Sequence, residues 1–417
     1  MRRFTLYILF LLCSAYSFVF TLQSEVWVTS NTSYLRDITP GFTFLKNNNN
    51  ISSANNLRLG LSASHGILNA DFMAAGKYFY YDVYGELSDN QTEADLYVLT
   101  AGINTGWASV KAGRQFHGEQ NTLLPYYGLY DDFLPHGASS LDAVTLGFDP
   151  LSWLSFYAIA GKETETIFET EKGDLYGASI TLRPFSIWSI TPFAYNLRSD
   201  DGSSKRNIYV YGGHTTLDLT EDTNLYFSYA KNKNGGNYSK GHDMSAGAFL
   251  LKANSQGENK AGFYKLRFMY VKAEGMDDYD DSPAFEGIHN YVYLGSIFTG
   301  TDINNIGVLP DQRRYSTAGS VNNITAYNLG ATFVPGFAKF LKLDFDIYSI
   351  SETGIISDGL HIGTEMDIAL TVTPFKNMDL TFIYARFNPD EYYDARYPAP
   401  VIVQDITQYA FKFKYKF

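Results

Sequence analysis

In residues 409–417, "YAFKFKYKF", five aromatic side chains alternate with Ala410, Lys412, Lys414 and Lys416. Side chains two apart share one face of a β-strand, so this stretch predicts a strand with one aromatic face and one mainly cationic face. The same period recurs along the chain. Leu57, Leu59 and Leu61 oppose Arg58, Gly60 and Ser62, and Tyr264, Leu266, Phe268 and Tyr270 oppose Lys265, Arg267 and Met269. Leu341, Leu343, Phe345 and Ile347 oppose Lys342, Asp344 and Asp346. Met366, Ile368, Leu370 and Val372 oppose Glu365, Asp367 and Thr371. No helical periodicity of any length interrupts the pattern.

The alternating segments are joined in pairs by two kinds of connector. At one end the connectors are short and built from turn residues, as in "DPL", "RPFS", "TED", "VPGFAK" and "PFKN". At the other end they are longer and polar: "LKNNNNISSANN", "ELSDNQTEAD", "KETETIFETEKGD", "LRSDDGSSKRN", "KNKNGGNYSKGHD" and "FNPDEYYDARYPAPVIVQ". This asymmetry predicts an all-β fold, a transmembrane antiparallel β-barrel with short periplasmic turns and long extracellular loops. About eighteen strands of roughly ten residues suffice to cross a bilayer at a tilt. Their centres fall near residues 28, 60, 75, 99, 111, 145, 156, 179, 192, 212, 228, 248, 267, 329, 345, 367, 383 and 412. The segment 286–298 fits either an extra strand or part of a long loop over 274–323. Unpaired backbone groups are not tolerated in lipid, so the strands must close on themselves. The apolar rows then face acyl chains, and the charged rows face a lumen. A soluble β-sandwich would need a second layer over each apolar face, and it leaves the connector asymmetry unexplained.

Composition adds the compartment. Residues 1–17 carry Arg2 and Arg3, an apolar core over 4–12 and a small-residue site, which predicts a secretory signal peptide followed by a single barrel domain over 18–417. The only cysteine, Cys13, lies in that leader, so no disulfide framework is expected in the remainder. The chain has 32 basic and 44 acidic residues; without Arg2 and Arg3 the balance is 30 to 44, or −14. Such a charge argues against nucleic acid as a partner. No nucleophile elbow, zinc motif, phosphate loop or dinucleotide fingerprint is present, so neither an enzyme nor a cofactor is expected.

Two stretches carry a family resemblance. The first is "VKAGRQFHGEQNTLLPYYGLYDDFLPHGASSLDAVTLGF", a strand ending Gly-Arg-Gln, a loop, and an Asp near the start of the next strand. The second is the hairpin "GLHIGTEMDIALTVTPFKNMDLTFIYARFNPDEYY". Both resemble the alginate-export family of outer-membrane porins. The resemblance implies an eighteen-stranded, plug-free barrel in the bacterial outer membrane. It implies passive passage of hydrophilic solutes, with oligosaccharides and anionic sugars as candidates. The alternative is a barrel that serves as scaffold for an adhesin or an enzyme. An aromatic strand finishing on Phe also resembles the signal read by the barrel assembly machinery. Outer-membrane lipid and that machinery are therefore the expected partners, and the oligomeric state is left open.

Candidate site residues follow from the faces. Arg114 and Gln115, with Lys111, have two readings: a pore eyelet, or an anchor in which Arg114 ties loop 116–140 through Glu119, Asp131 or Asp132. The loop is far longer than a hairpin needs and carries Leu123, Leu124, Leu129, Phe133 and Leu134, so it is expected to fold into the barrel. Arg58, Lys265, Arg267 and Lys342, with Asp344, Asp346, Glu365 and Asp367, fall on lumen faces. They either line a path for charged solutes or neutralise one another. The acidic stretch 274–286 has enough carboxylates for Ca²⁺ but not the spacing of a known loop, so a solvated acidic loop is the plainer expectation.

Overall fold

The computed structural model describes residues 21–38, 48–83, 87–129, 139–164, 173–200, 205–234, 244–274, 285, 287–288, 291–299, 324–353, 361–390 and 405–417. They form one closed antiparallel sheet of eighteen strands. The first six are β1 (Thr21–Ile38), β2 (Asn48–His65), β3 (Leu68–Val83), β4 (Leu87–Asn104), β5 (Ala108–Gln115) and β6 (Leu141–Leu151). Next come β7 (Leu154–Glu163), β8 (Gly173–Phe185), β9 (Trp188–Asp200), β10 (Lys205–Thr220), β11 (Thr223–Asn234) and β12 (Met244–Asn259). The last are β13 (Gly262–Ala273), β14 (Ile324–Pro335), β15 (Leu341–Glu352), β16 (His361–Phe375), β17 (Met378–Pro389) and β18 (Ile406–Lys416). Each of the eighteen expected centres lies in its own strand. Within the segment 286–298 the described residues, 287–288 and 291–298, are not strand, and residues 296–299 form a single turn.

Turns of two to five residues close one end of the barrel, at 66–67, 105–107, 152–153, 186–187, 221–222, 260–261, 336–340 and 376–377. Gly66, at φ +58°, and Gly106, at φ +91°, supply the left-handed backbone that such tight turns require. All the long connectors lie at the opposite, loop end. Several strands run well past the ten residues expected; β1, β2 and β4 each have 18. Asn48–Asn56 and Leu87–Asp95 were expected in loops, yet they are zipped into hairpins. Above the bilayer both faces of a strand are wet, so the polar-apolar alternation disappears while backbone pairing continues.

The outward face of most strands carries three to five apolar residues counted from the turn end, and then turns polar. Examples are Phe148, Leu146 and Val144 before Asp142, and Tyr264, Leu266, Phe268 and Tyr270 before Lys272. At ~3.3 Å per residue and a tilt of ~40°, four such rows span roughly 20 Å, close to the height of a bilayer's apolar core. Leu57, Leu59, Leu266, Leu343, Phe345, Ile347 and Ile368 all face outward and are exposed, as their alternation required.

The barrel closes where β18 meets β1, with Tyr415 opposite Val28, Phe413 opposite Ser30 and Tyr409 opposite Tyr34. The Phe417 N–H donates to the Val26 carbonyl at 2.9 Å, and its ring sits edge-on to Tyr415 at 4.4 Å. Replacing both Phe413 and Phe417 by Asp puts two carboxylates on the lipid face of the closing seam. Loss of the heat-modifiable barrel from membrane fractions is the expected outcome, read on unheated gels; wild-type mobility and yield would refute it.

The inner face departs from an evenly polar wall. Toward the loop end, an arc from β6 round to β18 is lined by Leu141, Ile159, Leu175, Leu197, Ile208, Val210, Leu250, Val271, Ile350, Phe387 and Ile406, all buried. Two loops cover that arc.

Candidate functional site

The described first part of loop 116–140, residues 116–129, leaves β5, turns into the barrel and reaches Lys252 of β12 across its lumen. A backbone pair between His117 and Tyr127, 2.7 Å in both directions, ties off its base. Gly118, at φ +80°, has the Pro125 carbonyl where a Cβ would stand, so this tie requires glycine. Leu123 and Tyr127 are buried against the apolar arc, and the Tyr127 hydroxyl donates to Glu163 at 2.6 Å. Full burial of such side chains contributes about 1.5–3 kcal/mol each, which holds the loop inside. Leu124 is partly buried beside them, while Leu129 packs, as Phe116 does, against a separate cluster of Ala75, Tyr97 and Val98 on β3 and β4. Phe133, Leu134, Asp131 and Asp132 lie outside the described residues.

The second loop, 274–323, meets the first in the lumen. The Asn121 N–H donates to the Tyr291 carbonyl at 2.6 Å, and the Tyr293 N–H donates to Asn121 Oδ1 at 2.8 Å. From β12, Lys252 Nζ donates to the Asn121 carbonyl at 2.8 Å and lies 4.2 Å from the centroid of the Tyr226 ring. Phe285, Ile288, Val292 and Ile297 are buried in the same apolar arc. Burial among carboxylates and phenols pushes the Tyr293 hydroxyl well above the usual tyrosine range, so it stays neutral.

Glu365 and Asp367 of β16 hold the tip of this second loop. The N–H groups of Ile297 and Phe298 donate to the two Glu365 oxygens at 2.6 and 2.9 Å, and the Ser296 N–H donates to Asp367 Oδ2 at 2.8 Å. These are the free N–H groups that open a helical turn, which carboxylates satisfy well. The Ser296 hydroxyl donates to Gln408 of β18 at 2.5 Å. Gly295, at φ +121°, lies flat on the Glu365 carboxylate, where a Cβ would collide with it.

The loops fill one side of the lumen. On the other side, toward the turn end, a cavity of about 380 Å³ is lined by Gln23, Glu25, Trp27, Ser62, Asp71, Met73, Val98, Lys111 and Phe116, among others. Charges face one another on this wall: Lys111 to Asp71 at 3.3 Å, Lys77 to Asp95 at 3.4 Å, and Lys416 to Glu25. Arg58 and Lys412 face the lumen here too.

No family model and no curated relative match the sequence. Solved structures do. OccK5 (OpdH) of Pseudomonas aeruginosa superposes with a TM-score of 0.57 at 12% identity, over 94% of this chain and 98% of that one. OccAB2 of Acinetobacter baumannii gives 0.58 at 12% identity, over 95% and 98%. OpdL of P. aeruginosa gives 0.57 at 13%, over 95% and 98%. The fold is that of outer-membrane porins. At such identity the likeness concerns architecture, and it agrees with the porin barrel that the sequence resemblance implied.

Among the sequence-named residues, Arg114 is corrected. Its register partners are Leu99 on β4 and Asp142 on β6, both outward-facing, so it sits on the outside of the barrel rather than at an eyelet. Among the described residues, its carboxylate partner is Asp142, in a two-pronged ion pair of 2.9 Å on each arm, and not Glu119. The adjacent Gln115 does face in, is buried, and donates to the Ala143 carbonyl at 2.8 Å. Lys111 faces in and pairs with Asp71 on β3. Glu119 lies near Lys252 on the far wall, where the two charges attract. Arg267 joins Asp346 at 2.8 Å and Asp344 at 3.8 Å, and Lys342 joins Asp344 at 2.9 Å, so this group is self-neutralising. Lys265 lies on the lumen face beside it. The acidic stretch 274–286 is mostly outside the described residues; its Glu274 accepts the Gly247 N–H at 2.6 Å.

Lys252, Asn121, Tyr291 and Tyr293 were not named from sequence. They are ordinary residues in a strand and two loops, brought together only by the inward fold. The apolar inner arc did leave a signal. In "IYVY" over 208–211 and "PFAYNL" over 192–197 the alternation gives way to nearly continuous apolar runs, as in strands covered on both faces.

Burial of His117 predicts a pH-dependent loop closure. Its ring stacks on Tyr157 at 5.7 Å with Nδ1 3.1 Å from that hydroxyl, lies 5.6 Å from the Tyr195 ring, and has Nε2 buried without a hydrogen-bond partner. Burial lowers its pKa from 6.5 to about 4. Above pH 6.5 the ring is neutral whether the loop is in or out. As pH falls from 6.5 toward 4 only the released loop takes up the proton, so closure weakens by at most roughly 3 kcal/mol. Hydrogen exchange of the His117 and Tyr127 amides is expected to quicken between pH 6.5 and 4.5 relative to the intrinsic rate. The effect should vanish in His117→Gln; equal protection at both pH values in the wild type would refute it.

Proposed function

We propose that this protein is an outer-membrane channel that lets small hydrophilic solutes pass down their gradients, without catalysis or cofactor. Residues 1–17 act as its export signal, and the aromatic β18 engages the assembly machinery. The observation that carries the reading is the pair of inward loops meeting at Asn121. They narrow the lumen to a passage along β1–β5 and β18. A scaffold for surface binding has no use for such a narrowing, whereas a selective channel needs one.

The passage wall favours anionic solutes, with uronates and other acidic sugars as the class. Arg58, Lys77, Lys111, Lys412, Lys414 and Lys416 face the lumen on β2, β3, β5 and β18. Among described side chains of that wall, Glu25, Asp71, Asp95 and Asp379 oppose them. The carboxylates of β15 and β16, in contrast, are occupied by Arg267, by Lys342 and by the loop backbone. Planar bilayers with a salt gradient test this. Unitary steps with a reversal potential on the anion side support it, and a shift toward neutrality should follow in Lys412→Gln with Lys414→Gln. Absence of unitary steps from folded barrel would overturn the channel; cation selectivity would overturn the solute class alone.

A further inference from the structure

Ser349, His361 and Asp390 stand in a hydrogen-bonded line on the outside of the barrel. Ser349 Oγ lies 3.1 Å from His361 Nε2, and His361 Nδ1 lies 2.9 Å from the Asp390 carboxylate. A carboxylate can only accept, so in the neutral ring the proton sits on Nδ1. Nε2 is then left with its lone pair toward the serine hydroxyl. A histidine activates a serine in this arrangement, which is recognised by geometry and roles and not by spacing in the sequence.

A β-bulge brings the three together. β15 and β16 pair in regular register as far as Ile350 and Gly363, and then Ser351 faces His361 with Ile362 as the extra residue. Ile362 turns inward and is buried on the apolar arc. Without the bulge Ile362 would stand opposite Ser351 on the outer face, and His361 would point into the lumen. The Asp390 N–H donates to the Ile362 carbonyl at 3.1 Å, which fixes the end of β17 beside the histidine.

Ser349 continues the outward row of Leu343, Phe345 and Ile347, one position beyond its last apolar side chain, with the exposed Tyr327 across from it on β14. The line therefore lies at the loop-end edge of the apolar band, the depth at which headgroups meet acyl chains. Thr364, opposite Ser349, and Asn388, opposite Thr364, put a hydroxyl and an amide in the same row. Lower on the same face, Ile368, Leu370, Phe382, Tyr384, Tyr409 and Phe411, among others, line an open apolar groove of about 500 Å³.

We propose that this face hydrolyses acyl esters of membrane lipids at the surface of the outer leaflet. Ser349 Oγ attacks the ester carbonyl carbon while its proton passes to His361 Nε2. That proton goes to the alcohol oxygen as the C–O bond breaks, leaving the acyl group on Ser349. Interfacial water then attacks the acyl-serine and gives a proton to His361, which returns it to the departing serine oxygen. One ester and one water give one carboxylic acid and one alcohol. Thr364 and Asn388 donate to the carbonyl oxygen and the groove takes the acyl chain. Asp390 is a positioning residue that holds the ring. The activity goes beyond the channel reading and uses the other side of the wall from the passage.

The test treats the full-length barrel in nanodiscs with an alkyl fluorophosphonate, which traps activated serines, and maps the adduct by mass spectrometry. An adduct at Ser349 is expected. His361→Gln should slow its formation by ~10²-fold or more, the scale of a lost general base. Asp390→Ala should lower the maximal rate with the half-saturating probe concentration unchanged, whereas loss of a residue that merely braced the strand ends would leave that rate alone. Free fatty acid is then measured from nanodiscs of phosphatidylethanolamine and, separately, from nanodiscs containing lipid A, which tells the two ester sources apart. Release from at least one of them, lost in Ser349→Ala, is expected. An unlabelled Ser349 in the wild type, undiminished labelling in His361→Gln, or release from neither lipid would overturn the proposal. The wild-type arms decide the matter even where a variant assembles poorly. Unitary conductance of Ser349→Ala should equal wild type, so failure here leaves the channel reading standing.

Discussion

Replacing residues 118–138 by a short Gly-Ser linker is expected to raise single-channel conductance several-fold. The loop supplies Asn121, the point where both inward loops and Lys252 meet. Its anchors, Leu123 and Tyr127, are buried on the apolar arc, so the loop is part of the lumen and not a lid above it. Excision removes that bulk and also takes the support from Tyr291 and Tyr293. The barrel wall should survive, because β5 and β6 pair directly over Ala108–Gln115 and need no help from the loop. Wild-type conductance from a variant that still runs as a folded barrel would place the constriction elsewhere.

The second large effect is expected from Glu365→Gln combined with Asp367→Asn. Three backbone N–H groups of the second loop donate to these carboxylates. Leaving a buried N–H without an acceptor costs about 1–3 kcal/mol, and an amide replaces one of the two Glu365 acceptor oxygens with a donor that opposes an N–H. Loop 274–323 should then leave the wall, giving larger and noisier currents and new protease cleavage between residues 285 and 299. Gly295→Ala should do the same without touching a charge, because a Cβ there meets the Glu365 carboxylate at a φ that disfavours alanine. Quiet wild-type currents and an uncut loop in both variants would show that the latch does not hold the loop.

Much of the barrel was legible in the chain because a bilayer imposes a local rule. Every spanning strand must show one face to lipid, so the period of two survives in each segment alone, and short turns against long loops give the orientation. The eighteen strands and the outward rows such as Leu343, Phe345 and Ile347 follow from that local reading, while the inward position of the first part of loop 116–140 was legible from its length and its leucines. Strand ends were harder. Once a hairpin rises clear of the bilayer, both faces are polar, and Asn48–Asn56 looks like loop while pairing as strand.

What only the tertiary structure decided was which wall each charge joins and what it does there. Arg114 sits next to the inward Gln115, and a position at the end of a strand cannot be assigned a face without its partners; Leu99 and Asp142 place it outside. Glu365 and Asp367 alternate as lumen charges should, but their partners are amides 67 to 71 residues distant in sequence, reached only because a loop folds back through the barrel. Sequence alone determined the sheet and its two faces, since those depend on neighbours two residues apart. The constriction depends on contacts between Asn121, Lys252 and Tyr293, which no local pattern encodes.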